Sequence, residues 1–166
     1  MNLTDGDFDR VSWHDCHVWA LELRAGDADE QDWTSDLLLR LDYIVEWICG
    51  IDGGGQFRVA PAELIFHDVT DARVSITWAE SGNRLALHLL SIDQIERTPV
   101  PDRHSSRDLP YYRWRIRLNW PQGGEITFGA ARFTQSLLAE PVLTDLQHLT
   151  RKQRSALLLQ RLRESN

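Results

Sequence analysis

The chain has 166 residues, 25 acidic and 18 basic side chains, a net charge of −7 and 42% apolar residues, seven of them Trp. That length suits one domain with a buried core, and the apolar content excludes disorder throughout. No apolar run nears the roughly 20 residues that cross a bilayer. The acidic start 1-MNLTDGDFDR-10 also lacks a signal peptide's basic and hydrophobic regions. A cytoplasmic protein with no membrane partner is the expectation. The negative total disfavours nucleic acid, although charge is uneven: residues 1–60 hold 13 acidic and 4 basic side chains, and 101–166 hold 6 and 11.

Residues 1–11 read as a flexible lead-in. At 13-WHDCH-17, two histidines, an aspartate and a cysteine stand together. Zinc requires three or four convergent ligands, and a firm motif pairs them at two places in the chain. On a strand, His14 and Cys16 would project to one face, and Asp15 and His17 to the other. The same divergence separates a cysteine nucleophile from a histidine base. The expectation is no metal and no cofactor, with Trp13 in the core and Asp15 hydrogen-bonded to backbone at a strand start. The rival is a metal- or small-molecule-binding enzyme using His14, Cys16, His17 and His67. Cys16 and Cys49 both sit beside apolar runs and read as small buried thiols.

Two-residue alternation dominates the chain from His17 onward. His17, Trp19, Leu21 and Leu23 alternate with Ala20, Glu22 and Arg24. An acidic run from Asp27 to Asp36, including Trp33, lacks calcium-loop order and reads as a solvated loop. In 37-LLLRLDYIVEW-47 every odd position is apolar, while Arg40, Asp42 and Glu46 fall on even ones, giving a long strand with one wet face. The glycines at 53–55 match no phosphate-binding motif and read as a loop tip. Leu64 and Phe66, then Val74, Ile76 and Trp78, continue the rhythm. Turn residues predict hairpins at 70–72 and 121–124, and a further turn at Ser81-Gly82-Asn83. Three prolines make 99–110 an exposed connection; its His104, Ser105, Ser106 and Asp108 lack the elbow pattern of a hydrolase.

The cleanest strand is 112-YRWRIRLNW-120. It sets Arg113, Arg115 and Arg117 in a ladder about 14 Å long on one face, able to grip carboxylates or phosphates. Acidic residues of neighbouring strands, Glu22, Asp36, Asp42 or Glu46, would neutralise it; otherwise it suits an acidic partner protein. In 125–133, Gly129 marks a bulge or bend. A helix is predicted from about Arg151, with Leu146, Leu149, Ala156, Leu159 and Leu162 on one stripe. Leu157, Leu158 and Leu159 cannot share a narrow stripe, which leaves apolar surface for self-association. The whole reads as one domain: an antiparallel β-sandwich or curled sheet of about eight strands, then a C-terminal helix within 144–166.

Trp13-His14-Asp15, the strand Leu39 to Trp47 and Leu64-x-Phe66 resemble small uncharacterised bacterial proteins, some similar to immunity proteins that neutralise toxins of neighbouring cells. The resemblance implies a cytoplasmic, non-catalytic protein whose charged surface docks on a toxin, and it carries over no catalytic residue.

Overall fold

The computed structural model describes residues 1–49, 55–77, 89–104 and 109–164. The strands are β1 (Asn2–Thr4), β2 (His17–Ala25), β3 (Ser35–Cys49), β4 (Gly55–His67), β5 (Thr70–Ser75), β6 (Leu90–His104), β7 (Pro110–Trp120), β8 (Glu125–Ala130), β9 (Arg132–Leu137) and β10 (Val142–Thr144), and α1 (Arg151–Glu164) ends the chain. All ten strands form one antiparallel sheet in the order β1-β9-β4-β3-β2-β6-β7-β8-β5, with β10 continuing the β9 edge of β4. The expected β architecture with a terminal helix is the one found, with ten strands among the described residues where about eight were expected. The turn at 81–83, Trp78, the glycines at 53–54 and Ser105, Ser106 and Asp108 lie outside the described residues.

One covalent link dictates the shape. Strands β8 and β9 are joined through Ala131 alone but stand six positions apart in the sheet order. In a flat sheet six spacings of about 4.8 Å would separate them by about 29 Å, far beyond the reach of a link of one residue at about 3.8 Å per Cα step. The sheet therefore folds over. The two halves join at β2 and β6, which among the described residues pair at His17↔Ser91 and Val18↔Leu90. The enclosed face holds Leu37, Leu39, Leu41, Leu64, Phe66 and Phe133 from one half, and Ile92, Trp114, Ile116, Ile126 and Phe128 from the other. Phe66 lies 4.7 Å from Phe128 and 4.9 Å from Trp114, both edge-on, as ring quadrupoles favour.

The lead-in packs against the sheet. Leu3 is buried in β1, and a 3-10 turn (Asp5–Arg10) sends Phe8 edge-on to Trp114 at 5.4 Å. The Arg97 guanidinium caps this end of the core, 4.3 Å above the Phe8 ring and 2.7 Å from Asp5.

Four further expectations are corrected. Residues 70–72 do not close a hairpin, because β5 leaves β4 and pairs with β8 across the fold, with Val74 47% exposed. Residues 99–104 are strand, paired with β7 at Pro99↔Tyr112 and again at His104↔Pro110, with the register interrupted between them, where Pro101 stands. A bulge at Trp19 reverses the alternation in β2, sending Val18 inward instead of His17. Gly129 is regular, and the bulge lies opposite it in β5, where Asp71 takes φ 55. The hairpin at 121–124 forms as expected.

The helix starts where predicted. Thr150 and Gln153 form a reciprocal cap, Thr150 N–H to Gln153 Oε1 at 2.9 Å and Gln153 N–H to Thr150 Oγ1 at 3.3 Å. Its buried face is not the expected stripe. Arg154 turns inward with Leu157 and Leu158, and Leu159 and Leu162 are 56% and 63% exposed. The cause is Asp42, fully buried on the outer side of β3. Its carboxylate accepts from Arg154 Nε at 2.8 Å, from the second guanidinium nitrogen at 2.6 Å and from Leu149 N–H at 3.0 Å. Removing one partner of such a pair strands a buried charge. Arg154→Met is expected to lower unfolding free energy by about 3–5 kcal/mol, measured by urea denaturation, and the Asp42→Leu/Arg154→Met double variant to recover most of that loss.

Candidate functional site

The 13–17 cluster is a turn instead of the expected strand. Cys16 N–H bonds back to the Trp13 carbonyl at 3.0 Å, and Asp15 takes the left-handed φ of 61, which Asp tolerates. His14 Nδ1 and the Asp15 carboxylate stay in contact at 3.2 Å, while the other candidate ligands separate. Trp13 enters the core and donates to Gln135 Oε1 at 2.6 Å. His14 is exposed. Asp15 bonds to backbone as expected, through its N–H to the Ile92 carbonyl at 2.8 Å, and its carboxylate also accepts from Asn119 at 2.7 Å and Gln147 at 2.9 Å. Cys16 is buried, and its Sγ accepts the Ile44 N–H at 3.4 Å. His67 sits apart, between Asp36 at 3.2 Å and Thr134 at 2.9 Å. Among the described residues no three His, Cys, Asp or Glu side chains are grouped closely enough to hold a metal ion. The Cys49 side chain lies outside the described residues.

The cluster's chemistry is that of a tie between elements. Gln147, His148 and Leu149 each meet the sheet, on Asp15, on the His17 ring at 4.8 Å and on Asp42. Burial pushes the Cys16 thiol up to about 12, where it carries negligible thiolate. Peptide mapping after iodoacetamide treatment at pH 8 is expected to find Cys16 unmodified in the folded protein and labelled in urea. Burial, then the neighbouring His148, hold His17 below its ordinary 6.5, outweighing the opposing pull of Asp15 and Asp42. A histidine so depressed binds its proton more readily once unfolded. Stability is therefore expected to be full above pH 6.5 and to decline as pH falls through that value toward the folded one, with a shallower decline in His17→Gln by denaturant titration.

The arginine ladder lies on the outside of the fold. Arg113, Arg115 and Arg117 project from β7 between β6 and β8, so its acidic neighbours are not those expected from the sequence. Arg115 is 2.7 Å from Glu125. Arg117 is 3.3 Å from Asp93, 3.9 Å from Glu96, and also donates to Gln94. Two of the three guanidiniums are thus neutralised. Arg113 stands opposite Gly129 of β8, beyond which Arg73 of β5 stands opposite Thr127. Among the described residues neither Arg73 nor Arg113 has an ion-pair partner, and both are exposed.

Between them is a depression of about 300 Å³, lined by Asp71, Arg73, Tyr111, Arg113, Thr127 and Gly129. Glycine makes it: a Cβ at Gly129 would stand 2.7 Å from the Tyr111 ring and hydroxyl, so any side chain would displace Tyr111. The Tyr111 hydroxyl in turn meets Thr70 Oγ1 at 2.8 Å and donates to the Asp68 carbonyl at 3.2 Å. Two exposed guanidiniums across a rigid floor can take carboxylates in bidentate geometry. Arg73 is not legible as a site residue in the sequence because it alternates with Val74 in a strand that reads as half-buried, and nothing local signals that β5 lands two strands from β7.

No family, curated protein or solved structure matches this chain. Among the described residues no helix is long and apolar enough to cross a membrane.

Proposed function

We propose that the protein acts without catalysis, by associating with an acidic protein surface through the outer face of β5, β8 and β7. The observation that carries this reading is the pair Arg73 and Arg113, exposed and without ion-pair partners among the described residues, on either side of a preformed depression. Where Arg115 and Arg117 spend their donors on neighbouring strands, these two keep theirs for a partner. Arginine forks bind carboxylates with more geometric specificity than ammonium groups, and complementary charge speeds encounter and fixes register. The immunity-protein resemblance supplies one biological setting, in which this face docks on a toxin in the cytoplasm.

The test is binding of a fluorescent polyglutamate peptide, followed by anisotropy at low and high salt. Affinity is expected to fall with salt, and to fall at least about tenfold in Arg73→Glu/Arg113→Glu, a loss of about 1.4 kcal/mol. A Lys152→Glu control, on the exposed side of α1, is expected to behave as the parent protein does. Equal binding by all three proteins would remove this reading.

A further inference from the structure

A surface complementary to this depression is carried by the same chain. The loop between β2 and β3, residues 26–34, is closed on itself: Gly26 N–H bonds to the Thr34 carbonyl at 2.7 Å and Asp32 N–H to the Asp27 carbonyl at 2.9 Å. Asp27 caps Asp29 N–H at 2.9 Å, and Asp32 accepts from the Thr34 hydroxyl at 2.6 Å. A Cβ at Gly26 would stand 2.5–2.7 Å from Asp32, so only glycine lets the loop close this tightly. The resulting tip presents Asp27, Asp29, Glu30 and Asp32 beside Trp33, which is 80% exposed. A tryptophan held out on an ordered loop is a large, stiff anchor of the kind that dominates protein interfaces. Its π-face stacks well on guanidinium groups.

The tip and the depression occupy the same end of the molecule. Ser35, directly after the tip, exchanges bonds with Val69: Val69 N–H to the Ser35 carbonyl at 2.7 Å, and Ser35 Oγ to the Val69 carbonyl at 2.6 Å. The adjoining Asp68 and Thr70 hold the Tyr111 hydroxyl, and Tyr111 floors the depression. Neighbouring acidic and basic surfaces on one chain form a patch complementary to itself under a two-fold rotation, which closes the assembly at two copies.

We propose that a second copy of this chain is the acidic partner: in a two-fold dimer, the Trp33 tip of each copy seats in the Arg73/Arg113 depression of the other. Trp33 stacks on a guanidinium, and the flanking carboxylates take the remaining donors. This inference rests on the arginine face being the docking surface proposed above, and it names that surface's occupant.

The test is light scattering over a concentration series, with circular dichroism as a check of folding. The parent protein is expected at twice its 19.2 kDa mass, dissociating as salt rises. Asp29→Arg/Glu30→Arg is expected to be monomeric, and so is Arg73→Glu/Arg113→Glu. An equimolar mixture of the two is expected to dimerise again, because each reversed tip then meets a reversed depression. Trp33→Ala is expected to weaken pairing at least about tenfold. A monomeric parent protein, a dimer indifferent to both reversals, or a mixture that stays monomeric would overturn self-pairing. If polyglutamate binding still depends on Arg73 and Arg113 in that event, the arginine face stands with a different occupant; if that binding is lost as well, both readings fall.

Discussion

A single residue, Ala131, joins two strands that a flat sheet would hold far apart, and that connection constrains the whole molecule. The sheet has to fold until the β8 and β9 edges meet, and Ala131 N–H marks the corner by bonding to the His67 carbonyl at 3.0 Å. Folding brings two apolar faces together, so the aromatic cluster around Trp114 and Phe66 is a consequence of connectivity as well as of composition. The opposite face is turned outward everywhere. Arg73, Arg113 and the Tyr111 floor become neighbours because β5 crosses at the adjacent corner, Asp68–Val69, to pair with β8.

A charged pair sealed on the outer face explains how the helix docks. Asp42 does point away from the core, as the alternation of β3 requires, but outward is not the same as wet. Arg154 and the Leu149 N–H cover it, and a carboxylate this buried dictates the rotation of the helix that neutralises it. Leu159 and Leu162 face solvent as a result. The same docking explains why 13-WHDCH-17 has so many polar groups: Asp15 and His17 hold the Gln147–His148 approach to α1, with Cys16 sealed beneath.

Net charge describes this protein poorly. The total of −7 would predict a surface that repels anions, yet the exterior of β7 and β5 carries four arginines, two of them neutralised by neighbours. Over a contact, the field is set by charges within a screening length of about 8–10 Å, so local arrangement outweighs the sum. The acidic surplus is likewise concentrated, much of it on the tip that carries Trp33. Two local surfaces, close together and opposite in sign, are therefore concealed by the total charge.

Strand identity was legible because alternation is a property of a few consecutive residues: 37–43 and 112–120 announced their faces, and Pro121 to Gly124 their hairpin, whereas a bulge at Val45 turns Ile44 inward and leaves Trp47 52% exposed, against the expected rhythm. The helix start was legible for the same reason, since its cap involves only Thr150 and Gln153. The candidate site was legible by half. Arg113 could be seen on the wet face of its strand, but Arg73 could not be placed beside it, nor Arg115 and Arg117 given their acidic partners, because pairing across a sheet depends on residues far away in sequence. The turn at Asp15 and the bulge at Trp19 escaped for a related reason, since tertiary contacts to Ile92 and Leu41 set them against the local rhythm. By itself the sequence determined which side chains turn inward and which outward along most strands, a matter of backbone geometry. Only the tertiary structure decided which strands meet, which outward residues are covered and which arginines keep their donors, because each of those rests on long-range contacts that no local pattern encodes.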